Sequence, residues 1–179
     1  MMVREAAATA GRDRAGAGTD LEERARMAWY TNLGLKHLDG TPVGDELAGQ
    51  AILFVNVASF CGYTPQYAGL VALAKEISKG FTVVGVPCNQ FGAQEPGTPD
   101  EIATFCETRF SVTFPLLDKQ DVNGADRSAL YRHLIGSGPD IKRNFEKILV
   151  DRDGVVKARW GSRTRPEDPA IRDAIAPLL

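Results

Sequence analysis

Residues 51–88, AILFVNVASFCGYTPQYAGLVALAKEISKGFTVVGVPC, decide the fold class of this chain. The segment opens and closes with apolar runs rich in β-branched residues, AILFVNVAS (51–59) and FTVVGVPC (81–88), which are typical of strands buried on both faces. Between them, residues 66–79 place apolar side chains at helical spacing, and Gly80 follows where a left-handed cap would end a helix. Strand, helix and strand with short connections form a βαβ unit, which predicts parallel neighbouring strands and a right-handed crossover.

The sequence on either side of this unit predicts a central mixed sheet with helices on both faces. On the amino-terminal side, residues 29–43 indicate a short β-hairpin that turns at Asp39-Gly40. On the carboxyl-terminal side, the segments in chain order are a helix that opens with a capping box at Thr98 and Glu101, a strand-and-loop segment over 112–124, a helix over 127–135, a hairpin around Asp153-Gly154 and a short helix over 166–179. Together these elements predict an α/β fold.

Size and composition predict one soluble globular domain, which we place at residues 27–179. The chain has 179 residues, of which 44% are hydrophobic and 25% charged, and its formal net charge is −2. It has no long basic stripe, so we expect no nucleic-acid partner. No apolar run approaches the ~20 residues that cross a bilayer, so we expect no membrane insertion.

The first 26 residues differ in composition from the rest. They are rich in Ala, Gly and Arg, contain no aromatic residue and lack the apolar core of a signal peptide. We interpret residues 1–26 as a disordered tail and Met27 as a candidate for the physiological start. A cleaved transit segment is the alternative, and Glu5, Asp13 and Asp20 argue against it.

Three cysteines, Cys61, Cys88 and Cys106, limit the possible chemistry. An odd, sparse set without a C-x-x-C pair is typical neither of a disulfide scaffold nor of a metal site, and we expect no metal and no cofactor. Such a set is typical of a reducing compartment, which leads us to predict the cytoplasm.

Cys61 is the first candidate for a nucleophile. It follows the first buried strand, at the start of a helix, and at the sheet edge where open α/β folds place their sites. Unpaired N–H groups and the positive end of the helix dipole favour the thiolate, which is the reactive form. Thr64 stands where a thioredoxin-type turn would carry a second cysteine, so we do not expect ordinary dithiol exchange. The alternative is a small buried apolar residue, as many free cysteines are.

Three ordered blocks resemble the glutathione peroxidase family: VNVASFCGYTPQY (55–67), GVPCNQFGAQEPG (85–97) and NFEKILVDRDGVV (144–156). DVNG (121–124) fits the same pattern, and the resemblance extends from Trp29 to the end of the chain. It implies a thioredoxin-like fold and an antioxidant peroxidase. Such an enzyme reduces hydrogen peroxide and organic hydroperoxides by way of a sulfenic acid.

The resemblance also implies roles for individual residues. Cys61 stands at the position of the peroxidatic Cys or selenocysteine, Gln94 at that of an amide facing the sulfur, and Asn144 at that of the catalytic Asn. Amide N–H groups can hydrogen-bond a thiolate and then the departing oxygen. Taken singly, Gln94 could instead fix its loop, and Asn144 could be a turn residue.

Arg143 departs from the family pattern, which has Trp directly before the Asn. Trp supplies a neutral N–H donor and a broad apolar wall, whereas Arg supplies several donors and a full positive charge. Two alternatives follow: the guanidinium acts near Cys61, or it points to solvent and Gln94 and Asn144 work alone. We expect a peroxidase in either case, with a rate that the substitution could lower.

Cys106, in FCETRFSVTFP (105–115), resembles the resolving cysteine of non-selenium members from bacteria and fungi. In those proteins the two cysteines form an intramolecular disulfide that thioredoxin reduces. We predict the same disulfide between Cys61 and Cys106. Their predicted positions are apart in the fold, whereas a disulfide allows Cα atoms only ~4.4–6.8 Å apart, so the Cys106 helix must unwind locally. The alternative for Cys106 is a buried helix thiol. For Cys88, a buried thiol at a strand end is the favoured interpretation.

The resemblance leaves partners and turnover as hypotheses. The short segment between Tyr131 and Asn144 lacks the insertion of tetrameric members, which implies a monomer with an open site. Glutathione stays an alternative reductant to thioredoxin. A second functional hypothesis is a peroxide sensor or relay, in which Cys61 passes its oxidation to a partner with little turnover. A third is a non-catalytic binding module.

Overall fold

The computed structural model describes residues 28–179, and the predictions made for residues 1–26 and for Met27 lie outside this range. The predicted strand–helix–strand unit is present as β1 (Ala51–Val57), α1 (Gln66–Glu76) and β2 (Phe81–Pro87). The two strands pair in parallel, with Ala51 opposite Phe81 and Val57 opposite Pro87. All seven residues of β1 are buried, as expected for a strand covered on both faces.

The sheet is mixed, and its strands lie in the order β2–β1–β3–β4. β3 (Lys147–Val150) runs antiparallel to β1, and β4 (Val156–Trp160) runs antiparallel to β3. The connection between β3 and β4 turns at Asp153-Gly154, as predicted, with Gly154 at φ +81°. The side chain of Asp151 stabilises this turn by accepting two of its N–H groups.

Three further helices lie within the described residues: α2 (Pro99–Phe110), α3 (Ala129–Ile135) and α4 (Pro169–Ile175), the last followed by a 3₁₀ helix (Ala176–Leu178). α2 begins with the predicted capping box, in which the Thr98 hydroxyl accepts from the Glu101 N–H and the Glu101 carboxylate accepts from the Thr98 N–H. None of the described helices is long and apolar enough to cross a membrane.

Each face of the sheet carries its own hydrophobic core, because alternate residues of a strand point to opposite sides. The odd-numbered residues of β1 pack with α1, α2 and α4. Ile52 and Phe54 pack on the other face with α3 and with the segment that precedes β1. Helices therefore cover both faces, which is the predicted architecture.

Two predicted elements are reduced in the structure. The amino-terminal hairpin keeps its turn, but it has a single bridge between Lys36 and Pro42, and Thr31–Leu33 forms a 3₁₀ helix. Residues 112–124 contribute isolated bridges and no strand of their own. This loop pairs with the edge of residues 36–38 that faces away from the hairpin, since the Leu38 N–H donates to the Leu116 carbonyl (3.0 Å).

The end of α1 was predicted too late. Gly80 takes the expected left-handed conformation (φ +74°), but the helix already ends at Glu76. Ile77 leaves the helical region (φ −110°, ψ 83°) and its partly buried side chain packs on the core. The helix therefore ends three residues earlier than predicted, at the residue before Ile77.

Candidate active site

Cys61 lies in a turn between the carboxyl end of β1 and the start of α1. The Thr64 hydroxyl shapes this turn, since it accepts from the Cys61 N–H (3.0 Å) and donates to the Ala58 carbonyl (2.9 Å). The sulfur is half-buried and accepts a hydrogen bond from the Tyr63 N–H (3.3 Å). Cys61 thus follows the central strand, as predicted. Its donor belongs to the turn, however, because α1 begins only at Gln66.

The loop that carries Gln94 is tied to the Cys61 turn through the main chain. Gly92 and Ala93 both take left-handed φ angles, +71° and +52°, which fold the loop back on itself. The Gln94 carbonyl then accepts from the Phe60 N–H (3.0 Å), directly before Cys61. The side chain of Gln94 is therefore carried by a backbone that is fixed relative to the thiol.

Glu95 is a buried carboxyl that joins the same two loops. Its Oε1 accepts from the Ser59 hydroxyl (2.6 Å) and from the Ser59 N–H (3.2 Å). Burial raises the pKa of Glu95, although the hydrogen bonds from Ser59 and the charge of Lys119 oppose the shift. Oε2 has no hydrogen-bond partner among the described residues. The carboxyl acts as a rigid connection behind the site, away from solvent.

Asn144 reaches the site from the turn that precedes β3. Its side-chain NH₂ donates to the Gln94 side-chain oxygen (3.0 Å), so the two amides are in direct contact. Asn144 is 2% exposed, and its Oδ1 has no hydrogen-bond partner among the described residues. Amides that are held in direct contact and oriented in this way can stabilise charge that develops on a nearby atom.

Four of the five predicted site residues line one open cavity of about 700 Å³: Cys61, Gln94, Arg143 and Asn144. Lys142 and the aromatic side chains of Tyr63 and Phe91 contribute to its walls. Arg143 and Lys142 are solvent-exposed, and they place two positive charges at the cavity. Arg143 lines the cavity of the thiol and is also in contact with solvent.

Cys106 lies away from this cavity, within α2. It is 1% exposed, and its thiol donates to the hydroxyl of Tyr67 on α1 (3.4 Å). Burial raises the pKa of Cys106, and the bond with Tyr67 opposes the shift. The cavity beside Cys106 shares no lining residue with the cavity of Cys61. The two thiols are therefore not placed for direct reaction in this conformation.

Cys88 occupies a third environment. It is fully buried just after β2, in the core on the opposite face of the sheet from Cys106. Burial also raises the pKa of this thiol. Among the described residues, no group of His, Cys, Asp and Glu has the geometry of a metal site.

Sequence patterns did not identify the charged residues that are buried around the site. Glu95 and Lys147 are fully buried and Glu146 is 5% exposed, whereas charged positions are ordinarily interpreted as exposed. Their partners lie far away in sequence, as with Ser59 and Glu95, which are separated by 36 residues. The available signal was that all three lie within blocks that resemble the family.

A half-buried thiol after the central strand of a mixed sheet, beside two oriented amides, defines a thiol-based redox protein with a thioredoxin-like fold. A thiol:disulfide interchange protein of the thioredoxin family from Chlorobium tepidum has the same fold. It aligns with a TM-score of 0.57 and 20% identity over 78% of this chain and 90% of that chain.

Sequence comparison then establishes the family. The glutathione peroxidase family model matches residues 30–135. The hydroperoxy fatty acid reductase Gpx2 of Synechocystis is 56% identical over 147 residues, 81% of this chain and 96% of the relative. The thioredoxin/glutathione peroxidase BtuE of Escherichia coli is 41% identical over 168 residues, 79% of this chain and 92% of the relative. The chain belongs to the glutathione peroxidase family, and it is a thiol peroxidase.

Proposed function

We propose that this peroxidase reduces hydrogen peroxide and organic hydroperoxides at Cys61, that Cys106 resolves the product as an intramolecular disulfide, and that thioredoxin recycles the enzyme. The observation that carries the proposal is the shared cavity, in which the half-buried thiol stands beside the paired amides of Gln94 and Asn144. Of the three cysteines, Cys61 alone is accessible from solvent.

The first step is a displacement at oxygen. The Cys61 thiolate attacks the terminal oxygen of the hydroperoxide, an S–O bond forms and the O–O bond breaks. The departing alkoxide, or hydroxide when the substrate is hydrogen peroxide, takes up a proton and leaves as alcohol or water. Charge therefore moves from sulfur to oxygen, and the amide N–H groups of Gln94 and Asn144 stabilise it along this path. The product on the protein is a sulfenic acid.

Arg143 adds a charged donor to the same cavity. In this proposal its guanidinium hydrogen-bonds the departing oxygen, which becomes anionic as the O–O bond breaks. Its exposure to solvent weakens the interaction relative to a buried charge. We therefore propose a supporting role for Arg143 and the principal role for the two amides.

The second step requires α2 to open. The Cys106 thiolate attacks the Cys61 sulfenic sulfur, the S–S bond forms, and hydroxide leaves and is protonated to water. Since Cys106 is buried and hydrogen-bonded to Tyr67, its helix must unwind before the two sulfurs can meet. A dithiol reductant then exchanges with the disulfide, restores both thiols and is itself oxidised to a disulfide.

The names of the relatives support the choice of substrate and reductant. One is described as a hydroperoxy fatty acid reductase and another as a thioredoxin/glutathione peroxidase. We propose thioredoxin because Cys106 offers an intramolecular disulfide for it to reduce. We also propose a monomer, on the ground of the short segment between Tyr131 and Asn144, and a cytoplasmic location, on the ground of the odd, sparse set of cysteines.

The test is peroxide consumption coupled to NADPH through thioredoxin and thioredoxin reductase. Wild type should turn over many times, Cys61→Ser and Cys106→Ser should not, and Cys88→Ser should match wild type as the cysteine control. Turnover that survives in Cys106→Ser would move the electron source to glutathione or another direct thiol. A single stoichiometric burst in wild type would leave the sensor or relay in place of the proposed cycle.

A further inference from the structure

The turn that carries Asn144 is held at three successive main-chain carbonyls. The carbonyls of residues 143, 144 and 145 accept hydrogen bonds from Asn56 of β1 (2.9 Å), Ser162 after β4 (2.5 Å) and Lys147 of β3 (2.8 Å), respectively. Phe145 has φ +63°, a left-handed conformation that residues with a side chain rarely adopt. The strained turn therefore depends on these three buried donors, and the direction of the Asn144 side chain depends on the turn.

Lys147 contributes to this support from the core. Its side chain is fully buried, and its ammonium donates both to the Phe145 carbonyl and to the Gln66 side-chain oxygen (2.6 Å). A buried ammonium costs stability unless it is well paired, and an apolar side chain of similar length would often serve the core as well or better. Packing alone therefore does not account for a lysine at this position.

Gln66 and Ser162 extend the connection from Lys147 to Asn144. The Gln66 side-chain NH₂ donates to the Ser162 carbonyl (2.7 Å), and the Ser162 hydroxyl donates to the Asn144 carbonyl. Asn144 in turn contacts the Gln94 amide in the cavity of the thiol. Lys147 thus supports the turn twice, directly at Phe145 and indirectly through two intermediate side chains.

We propose that Lys147 is a positioning residue of the peroxidase reaction, which fixes the Asn144–Gln94 amide pair against Cys61 through Phe145 and through Gln66 and Ser162. The inference rests on the proposed function of that pair. Lys147 does not touch the substrate. Its contribution is geometric, since displacements of about 1 Å at a reacting centre can cost a factor of about 100 in rate.

The ammonium form carries this role. Burial lowers the pKa of Lys147 to about 8, and the charges of Glu167 and Glu146 oppose the shift. Glu146 is itself paired with Arg159 (3.0 Å), and the α1 side chain that faces the ammonium is the neutral Gln66. Above pH 8 the amine loses its charge, and both of its hydrogen bonds lose their charge-assisted strength.

The test measures the rate constant for oxidation of Cys61 by hydrogen peroxide in a single turnover, beside its alkylation by iodoacetamide. Lys147→Met should slow oxidation by about tenfold or more while alkylation stays within about twofold, because alkylation does not use the amide pair. Ser162→Ala, which removes one hydroxyl, should slow oxidation severalfold. Lys157→Met, on the exposed side of β4, is the matched control and should equal wild type.

A pH series supplies a second readout. The ratio of the wild-type rate constant for oxidation to that of Lys147→Met should be largest below pH 8 and should narrow above it. Circular dichroism and thermal unfolding establish that each variant folds. If Lys147→Met does not fold, Gln66→Ala, which removes the side chain that joins the Lys147 ammonium to Ser162, takes its place in both measurements.

Unchanged oxidation in Ser162→Ala and in folded Lys147→Met would overturn the inference, as would an equal loss of oxidation and alkylation. Failure of the proposed function looks different: wild-type Cys61 would then not be oxidised by peroxide, or would be oxidised once without turnover in the thioredoxin-coupled assay.

Discussion

Replacing Thr98 with alanine should accelerate formation of the Cys61–Cys106 disulfide while it destabilises the protein. The Thr98 hydroxyl caps α2 by accepting the Glu101 N–H (3.2 Å), and α2 must open before Cys106 can reach the sulfenic acid. The substitution removes the cap without changing either cysteine, Tyr67 or the cavity of the thiol. It therefore changes the opening equilibrium of α2 and leaves the chemistry of both sulfurs as it was.

The magnitude follows from the cost of an N-cap. Removal of a Thr cap typically costs about 1 kcal/mol of helix stability. Because 1.4 kcal/mol corresponds to a factor of ten, the population of opened helix should rise about fivefold. If opening is a rapid equilibrium before disulfide formation, the rate constant for resolution rises by the same factor of about five.

The assay follows the sulfenic acid directly. Protein is mixed with one equivalent of hydrogen peroxide, samples are quenched into dimedone at intervals, and mass spectrometry counts trapped sulfenic acid against disulfide. Ser128→Ala is the matched control, because Ser128 caps α3 on the opposite face of the sheet and its hydroxyl accepts from the Tyr131 N–H (3.2 Å). That variant should lose comparable stability and resolve at the wild-type rate. Equal rates in wild type and Thr98→Ala, or equal acceleration in both variants, would refute the reasoning.

Three further predictions concern charge and packing. Arg143→Trp should raise the rate constant for oxidation of Cys61 by peroxide severalfold, measured in a single turnover, because it restores a neutral donor and an apolar wall at the cavity; a loss of rate would show that the guanidinium is the better donor here. Folding raises the pKa of Glu95, so burial of its carboxylate lowers the stability of wild type increasingly as the pH rises. At low pH the carboxyl is protonated in both the folded and the unfolded state, and this cost disappears. The free energy of unfolding of Glu95→Gln relative to wild type should therefore increase from pH 4 to pH 8 in urea titrations, and a flat difference would contradict it. Gly154→Ala should lower the free energy of unfolding by about 2–4 kcal/mol, since a Cβ would lie 2.3 Å from the Trp29 ring and φ is +81°; Gly40→Ala, strained alike but with open space around it, should cost clearly less.

The elements that the sequence predicted best are those whose signal is local. The apolar run of β1, the Thr98 capping box and the Asp153-Gly154 turn all lie at their predicted positions. Each depends on side chains a few residues apart, so periodicity and turn chemistry are sufficient to find it. The same holds for Cys61, whose place after β1 follows from the length of the strand.

The elements that were predicted less well are decided by distant contacts. The hairpin over 29–43 is reduced to one bridge, and the outer edge of its first strand pairs with residues 112–124, about 80 positions away. The buried ammonium of Lys147 is hydrogen-bonded to Gln66, 81 residues away. The Asn56 side-chain oxygen accepts from the Glu146 N–H, 90 residues away. No local pattern encodes such pairs, because they exist only once the sheet has assembled.

The two thiols make opposite demands on the fold, and the structure separates them. Displacement at the peroxide needs Cys61, Gln94 and Asn144 in fixed relative positions, and the loops that carry them are held by buried hydrogen bonds from several elements. Resolution needs movement, and Cys106 lies on a single helix whose beginning is stabilised by a cap worth about 1 kcal/mol. If the loops that carry Cys61, Gln94 and Asn144 were loosened, oxidation of Cys61 would slow. If the Cys106 helix were stabilised further, disulfide formation would slow. The rate constants of the two steps should therefore respond to different sets of substitutions.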